Sequence, residues 1–103
     1  MISRSERVSS YCTSKTDLKS AIEDMAYFGY AIHMENDNQM TATAIGCRFV
    51  FEYDNADGET VKIIFKNLWI MDYSSIIYID GHRYDTDLLL NEFGGVHFSI
   101  LHD

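Results

Sequence analysis

The chain has 103 residues, 47% of them hydrophobic and none of them proline, a composition that favours one folded domain over a disordered chain. No apolar run approaches the ~20 residues that a membrane-spanning helix needs. The formal net charge is −8, and because residues 1–20 carry +2, the remaining residues carry −10. A body this acidic repels nucleic-acid phosphates, and we therefore expect a basic protein surface as partner, with no direct nucleic-acid or membrane binding.

The first residues are polar, and we predict a flexible arm over residues 1–13 ahead of a single α+β domain over residues 14–103. The arm has positive charges but no apolar segment behind them, unlike a secretory signal. Two cysteines, Cys12 and Cys47, are too far apart in sequence to suggest a disulfide framework and indicate reduced thiols. We therefore expect a cytoplasmic protein, in the host cytoplasm if a phage encodes it.

A helix is predicted to begin near Ser14 and to end before Gly29. Ser14 followed by Asp17 three positions later resembles a capping box. Apolar side chains then recur at helical spacing and predict a buried stripe: Leu18, Ala21, Ile22, Met25 and Phe28. Gly29 follows this stripe as a residue suited to end a helix.

Two strands are predicted after the helix. Alternating apolar side chains predict one strand over residues 30–35 and another over residues 40–45, with polar turn residues between them. Gly46 interrupts the second run, so we expect a bulge or bend there.

The central feature of the sequence is a β-hairpin predicted over residues 47–67. A two-residue loop would mix apolar and charged side chains on both faces, whereas a three-residue loop over residues 56–58 keeps them apart. Gly58 then stands where a type I turn with a G1 bulge needs a left-handed residue. This register places Cys47 on the core face and predicts three apolar pairs: Phe49–Phe65, Phe51–Ile63 and Tyr53–Val61.

Four consecutive apolar residues follow the hairpin: Leu68, Trp69, Ile70 and Met71. Such a run indicates either a strand covered on both faces or an exposed apolar patch. A second hairpin is predicted over residues 76–84, with Asp80-Gly81 as its two-residue turn. Its register places Tyr78 opposite Arg83, where a cation–π contact is expected.

A second, short helix is predicted over residues 86–93 with Asp85 as its N-cap, and a closing strand begins at Val96. The order of helix, strands, short helix and strand favours the α+β class. We predict an antiparallel sheet of about five to six strands packed against an N-terminal helix, with the second short helix near the C-terminus.

The sequence carries no pattern that points to an enzyme or to a cofactor. It has no glycine-rich phosphate loop, no HExxH spacing and no GxSxG elbow, and the segment 54–58 lacks the flanking carboxylates of a calcium loop. We therefore expect a non-enzymatic protein without a cofactor. One alternative stays open, a small metal-dependent hydrolase whose ligands are Asp80, His82 and Asp85.

Acids interleaved with tyrosines form the expected contact surface. Carboxylates on strands and turns can pair with Lys and Arg of a partner, and tyrosine is enriched at protein interfaces. Residues 72–87 are the favoured part of this surface. The expected partner-binding residues are Asp54, Asp57, Glu59, Asp72, Tyr73, Tyr78, Asp80, Tyr84, Asp85 and Asp87.

These features favour a small acidic protein that binds and inhibits a larger protein through its basic, nucleic-acid-binding surface. A phage-type anti-defence protein would act in this way, either as an anti-CRISPR inhibitor of a CRISPR effector or as a DNA mimic on a nuclease. A toxin-immunity protein would act similarly on a toxin. A homodimeric accessory subunit is a further hypothesis, and its contact would be the run Leu68, Trp69, Ile70 and Met71.

Overall fold

The computed structural model describes residues 9–92 and 94–102. This part of the chain forms one α-helix, one short π-helix and nine strands. In chain order they are β1 (Ser9–Cys12), α1 (Lys15–Tyr27), β2 (Ile32–Asn36), β3 (Gln39–Ala44), β4 (Cys47–Asp54), β5 (Thr60–Phe65), β6 (Asn67–Met71), β7 (Ile76–Ile79), β8 (His82–Asp85), the π-helix (Asp87–Glu92) and β9 (Val96–His102).

The described strands form two antiparallel sheets, with the orders β1-β9-β4-β5 and β2-β3-β6-β7-β8. The predicted α+β class with antiparallel pairing is confirmed. The prediction of one sheet with about five to six strands is wrong. The reason is that β3 runs into β4, and β5 into β6, with only one or two residues between them, so each of these chain segments contributes to both sheets.

A large bulge at the sheet junction turns the chain from one sheet into the other. Thr43 pairs with Asn67 and Phe49 pairs with Phe65, so residues 44–48 stand opposite Lys66 alone. Gly46 lies inside this segment with φ 73°, a left-handed conformation that glycine adopts without steric cost. The bend expected at Gly46 is therefore confirmed, and it is where the predicted single sheet divides into two.

Both predicted hairpin registers are confirmed. In β4–β5, Phe49, Phe51 and Tyr53 pair with Phe65, Ile63 and Val61, and Gly58 has φ 78° in the turn. In β7–β8, Tyr78 pairs with Arg83 across a turn in which Asp80 and Gly81 have φ 48° and 81°. Positive φ at both turn residues is the conformation that suits the twist of a two-residue hairpin.

Helix α1 has the predicted cap and most of the predicted buried stripe. The Ser14 hydroxyl accepts a hydrogen bond from the Asp17 amide at 3.1 Å. Phe28 is a correction: it is the C-cap residue and 55% exposed, because the helix ends before its side chain can join the stripe. The buried residues of the helix are Leu18, Ala21, Ile22 and Met25.

The predicted arm is in part a strand. Residues 9–12 form β1, which pairs with β9, and Cys12 is fully buried. Residues 1–8 of the predicted arm lie outside the described residues. The backbone of a short polar segment can join a sheet edge through its amides and carbonyls, and this pairing leaves little trace in side-chain pattern.

The second helix is shorter than predicted and of another type. The expected range was 86–93, whereas the π-helix spans Asp87–Glu92; Phe93 lies outside the described residues. The predicted cap is present, because Asp85 Oδ1 accepts hydrogen bonds from the amides of Asp87 at 2.8 Å and Leu88 at 3.4 Å.

One core joins both sheets and α1. It contains a group of four buried phenylalanines in which Phe49 and Phe51 each contact Phe65 and Phe98, with ring centroids 4.8 to 5.6 Å apart. The core side chains of the five-stranded sheet include Met40, Ile70 and Ile77, so its opposite face is turned away from the core.

Candidate functional site

Strand β6 divides the predicted apolar run between two faces. Leu68 and Ile70 point into the core, with 2% and 0% of their surface exposed. Trp69 is 38% exposed, and Met71, two residues on, is half-buried. Successive side chains of a strand point to opposite faces, so the four residues do not form one exposed apolar patch.

Trp69 is the centre of the outer face of the five-stranded sheet. Its ring stacks on Tyr78 with a centroid distance of 5.2 Å and an interplanar angle of 30°. Its indole Nε1–H donates a hydrogen bond to Gln39 Oε1 at 2.9 Å, which fixes the orientation of the ring. In register, Thr41 flanks Trp69 on one side, and Tyr78 followed by Arg83 flanks it on the other.

A groove of ≈ 470 Å³ lies beside this aromatic pair. Trp69 and Tyr78 contribute aromatic surface, and all the other lining residues except Leu68 are small or polar. Thr43 and Asn67 are hydrogen-bonded to each other across β3 and β6 at 3.1 Å. The complete lining is Thr41, Ala42, Thr43, Asn67, Leu68, Trp69, Tyr78 and Gly81.

Asp80 lies beside this groove, in the turn between β7 and β8. Its Oδ1 accepts hydrogen bonds from the backbone amides of Lys66 at 3.0 Å and Asn67 at 2.8 Å. These two amides lie where β5 becomes β6, so Asp80 stabilises the bend between the two sheets. Within the described residues its second oxygen, Oδ2, has no hydrogen-bond partner, and the residue is exposed.

The three residues of the predicted metal-dependent hydrolase are not brought together. His82 and Asp85 occupy the two ends of β8, about 10 Å apart at the usual rise per residue. Asp80 holds the strand bend, and Asp85 caps the π-helix. Over residues 9–92 and 94–102, no group of three or more His, Cys, Asp or Glu side chains is placed to hold a metal ion.

Three of the predicted partner-binding acids share the β4–β5 turn: Asp54, Asp57 and Glu59 are all exposed. The turn is ordered by Asn55, whose Oδ1 accepts hydrogen bonds from the amides of Asp57 at 3.0 Å and Glu59 at 2.9 Å. Thr60 donates its hydroxyl to Asp54 Oδ1 at 2.9 Å. The result is a fixed turn that presents three carboxylates to solvent.

The β6–β7 turn is held by two lysines of α1. Lys15 Nζ donates hydrogen bonds to the carbonyls of Met71 at 2.8 Å and Asp72 at 3.3 Å, and to that of Ser74. Lys19 forms an ion pair with Asp72 at 2.8 Å. One predicted partner-binding acid, Asp72, is therefore paired with a lysine of the same chain at the surface. Tyr73, also on this turn, is 88% exposed.

The predicted contact residues lie at several places, not on one continuous surface. Tyr84 is half-buried and packs against the core. Asp85 caps the π-helix, in which Asp87 is exposed. The β4–β5 turn and the β7–β8 turn are separated by the length of β5, about 20 Å.

A second hollow, of ≈ 280 Å³, opens between the end of α1 and the sheet junction. Phe28 and Ile45 line it and are 55% and 56% exposed. Tyr30 stacks on His102 at the same place, with centroids 5.3 Å apart. Sequence reasoning missed this cluster because Phe28 was assigned to the helix stripe and Ile45 to a strand.

Both thiols are buried, Cys12 with 0% and Cys47 with 2% of its surface exposed. Burial, and to a lesser extent the charge of Asp17, raises the pKa of the Cys12 thiol from 9.0 to about 12. A thiol with so high a pKa is a poor nucleophile, so Cys12 is a packing residue. The core position expected for Cys47 is confirmed.

None of the helices in the described part of the chain has the length and apolar character that a membrane crossing requires. Comparisons with protein families, with curated protein sequences and with solved structures find no match for this chain. Function therefore has to be inferred from the chain's own residues.

Proposed function

We propose that this chain is a small non-enzymatic inhibitor that binds the basic, nucleic-acid-binding surface of a larger protein. The observation that carries the proposal is the β4–β5 turn, where Asp54, Asp57 and Glu59 are exposed on a backbone that Asn55 holds in place. Because these carboxylates are already positioned, their pairing with a partner's lysines and arginines would cost less ordering entropy.

The overall charge supports the same proposal. A net charge of −8 steers the chain toward a positive surface and speeds its association. At the surface, Lys19 and Lys62 pair with the chain's own acids, Asp72 and Glu52, so these two lysines are less able to attract an acidic partner or nucleic acid.

Nucleic-acid-binding proteins are the proposed class of partner, because they present the clustered Lys and Arg that such carboxylates would meet. A CRISPR effector or another nuclease of a bacterial defence system is the leading candidate, which makes the chain an anti-defence protein of the phage type. A basic toxin is the second candidate, and the chain would then be an immunity protein.

The homodimeric subunit and the metal-dependent hydrolase have weaker support. The homodimer would need Leu68 and Ile70 at its interface, and both belong to the core. Two bodies of charge −8 also repel each other. The hydrolase would need Asp80, His82 and Asp85 around one ion, and the strand geometry separates them.

Binding to a panel of partners tests the proposal. The immobilised chain is probed with nuclease-inactive CRISPR effectors and basic toxin nucleases from ~0.1 M to ~1 M salt, over which the Debye length falls from about 10 Å to about 3 Å. We expect at least one partner to bind at low salt and to be released at high salt. Binding that does not respond to salt, or no binding across the panel, contradicts the proposal.

A matched pair of double variants locates the contact. Asp57→Asn with Glu59→Gln removes two charges from the β4–β5 turn, and Glu23→Gln with Asp24→Asn removes two exposed charges from α1. At about 0.2–1 kcal/mol for each of two exposed ion pairs, we expect the turn variant to bind roughly 2- to 30-fold more weakly. The α1 variant should change affinity less than about twofold. Equal losses would mean that net charge alone drives binding.

A further inference from the structure

We propose that the groove beside Trp69 and Tyr78 receives an arginine side chain of the partner, and that the Asp80 carboxylate pairs with its guanidinium group. This inference rests on the proposed function, because it names a second contact, apart from the β4–β5 turn, through which a basic partner would be recognised.

The aromatic surface of the groove suits a guanidinium plane. Tryptophan is the best aromatic partner for a cation, and arginine stacks on aromatic faces more readily than lysine does. Trp69 is held in position by its stack on Tyr78 and its hydrogen bond to Gln39, so it does not need to be ordered on binding. The neighbouring Thr43 and Asn67 offer polar groups within the groove.

Asp80 supplies the charge. Its Oδ1 is fixed by the amides of Lys66 and Asn67, and Oδ2 has no hydrogen-bond partner within the described residues. Asn67 and Gly81, which flank Asp80 in space and in sequence, both line the groove. A Cβ built on Gly81 meets no atom within 4 Å other than those of its chain neighbours, so the groove is open beside this glycine. Asn67, whose amide holds Asp80, precedes Trp69 by two residues on β6, about 7 Å along the strand. An arginine that stacks on the ring can therefore reach the carboxylate.

Charge complementarity selects an arginine as the occupant. A second copy of the chain and an anionic ligand are both repelled by a net charge of −8. A neutral planar ligand could stack on Trp69, but it would gain nothing from the charge of Asp80. Arg83 pairs with Tyr78 on the side away from Trp69. Its positive charge would repel a bound arginine, so removing this charge should strengthen binding.

Trp69 is the only tryptophan, so its fluorescence reports directly on the groove. The probe is the blocked tripeptide Gly-Arg-Gly, and the control is Gly-citrulline-Gly, which has nearly the same shape and no charge. We expect saturable binding of the arginine peptide and at least about tenfold weaker binding of the citrulline peptide. Equal affinity of the two peptides, or no saturation with either, overturns the proposal.

Three charge variants, titrated with the same arginine peptide, localise the effect. Asp80→Asn keeps an oxygen for the two backbone amides and should weaken binding about 3- to 10-fold. Asp57→Asn makes the same change in net charge at the distant β4–β5 turn and should leave the affinity within about twofold. Arg83→Gln should strengthen binding about twofold. If Asp57→Asn weakens binding as much as Asp80→Asn, the groove is not the site.

Failure of this inference can be told apart from failure of the proposed function. The partner found in the panel is titrated against Trp69→Leu by calorimetry, with circular dichroism to confirm folding. A partner that binds in a salt-dependent way but ignores Trp69→Leu leaves the proposed function in place and overturns the groove as its contact. Selective binding of the arginine peptide without any basic protein partner supports the groove and contradicts the proposed function.

Discussion

Asp80 has two roles: it accepts hydrogen bonds at the bend between β5 and β6, and it places a negative charge beside the groove. Two substitutions can separate these roles. Asp80→Ala removes the acceptor and the charge, whereas Asp80→Asn removes the charge and keeps the acceptor. The side chain accepts from the amides of Lys66 and Asn67, at 3.0 and 2.8 Å. In both variants the turn must keep the positive φ of 48° at position 80.

The expected loss of stability follows from these contacts. For Asp80→Ala, two exposed hydrogen bonds at about 0.5–1.5 kcal/mol each, and about 1 kcal/mol for alanine at positive φ, give a loss of roughly 2–4 kcal/mol. For Asp80→Asn the loss should stay below about 1 kcal/mol, because asparagine accepts the same bonds and Asn-Gly suits this turn. In a domain of this size the alanine variant should melt about 10 °C or more below the wild type.

Urea unfolding followed by Trp69 fluorescence measures both variants, since Trp69 is the only tryptophan. The difference between the two losses of unfolding free energy tests the role of the carboxylate more directly than either loss alone. If Asp80→Asn and Asp80→Ala unfold with the same free energy, within about 0.5 kcal/mol, the carboxylate does not hold the bend between β5 and β6.

Three further predictions concern β1 and the residues next to it. Gly95→Ala should lower the free energy of unfolding by about 1–3 kcal/mol more than Gly94→Ala does, because a Cβ at position 95 would lie 2.8 Å from the Cys12 carbonyl oxygen. Equal losses for the two variants would contradict the position of β1. A backbone hydrogen bond from Thr13 lowers the pKa of Asp17 from 3.8, so its carboxylate stabilises the fold above that pH and loses this effect as the pH falls. Asp17→Asn should therefore flatten the acid side of the stability profile, and an unchanged profile would refute this role. Burial raises the pKa of Cys12 to about 12, so iodoacetamide at neutral pH should modify this thiol only as fast as the protein unfolds. Rapid modification in native buffer would contradict the burial of Cys12.

Local patterns were enough to predict the two hairpins. Parity of apolar side chains, together with Gly58 in one turn and Asp80-Gly81 in the other, leaves one register that keeps each apolar face intact. The N-cap at Ser14 was predictable for the same reason, because cap chemistry acts within three residues.

The division into two sheets could not be predicted in this way. Gly46 signals a bend in one strand, but the bend in its neighbour depends on Asp80, which comes from a later hairpin and accepts from Lys66 and Asn67. Strand β1 also depends on a contact that is distant in sequence. Its four residues form a strand by pairing with β9, which lies near the other end of the chain. Contacts so distant in sequence leave no periodic signal in either segment.

Composition identified the acids but not what each of them does. Asp72 is neutralised by Lys19, and Asp85 caps the π-helix, whereas Asp57 and Glu59 remain exposed on an ordered turn. These differences arise from tertiary contacts.

The groove was missed because Thr41, Thr43 and Asn67 are ordinary strand residues taken singly. They line a groove only because β3 pairs with β6, which places them beside Trp69. The alternation of threonine and alanine in β3 would have indicated a small-residue face, but not which aromatic residue stands next to it.

If this chain occupies the nucleic-acid-binding surface of its partner, duplex DNA and the chain must exclude each other. The decisive measurement titrates labelled DNA into the captured partner at several fixed concentrations of the chain and follows the apparent Kd for DNA. We expect this Kd to rise in proportion to the concentration of the chain, and to rise less with the Asp57→Asn, Glu59→Gln variant. An apparent Kd that stays constant while the chain is fully bound would show a ternary complex and contradict the proposed function.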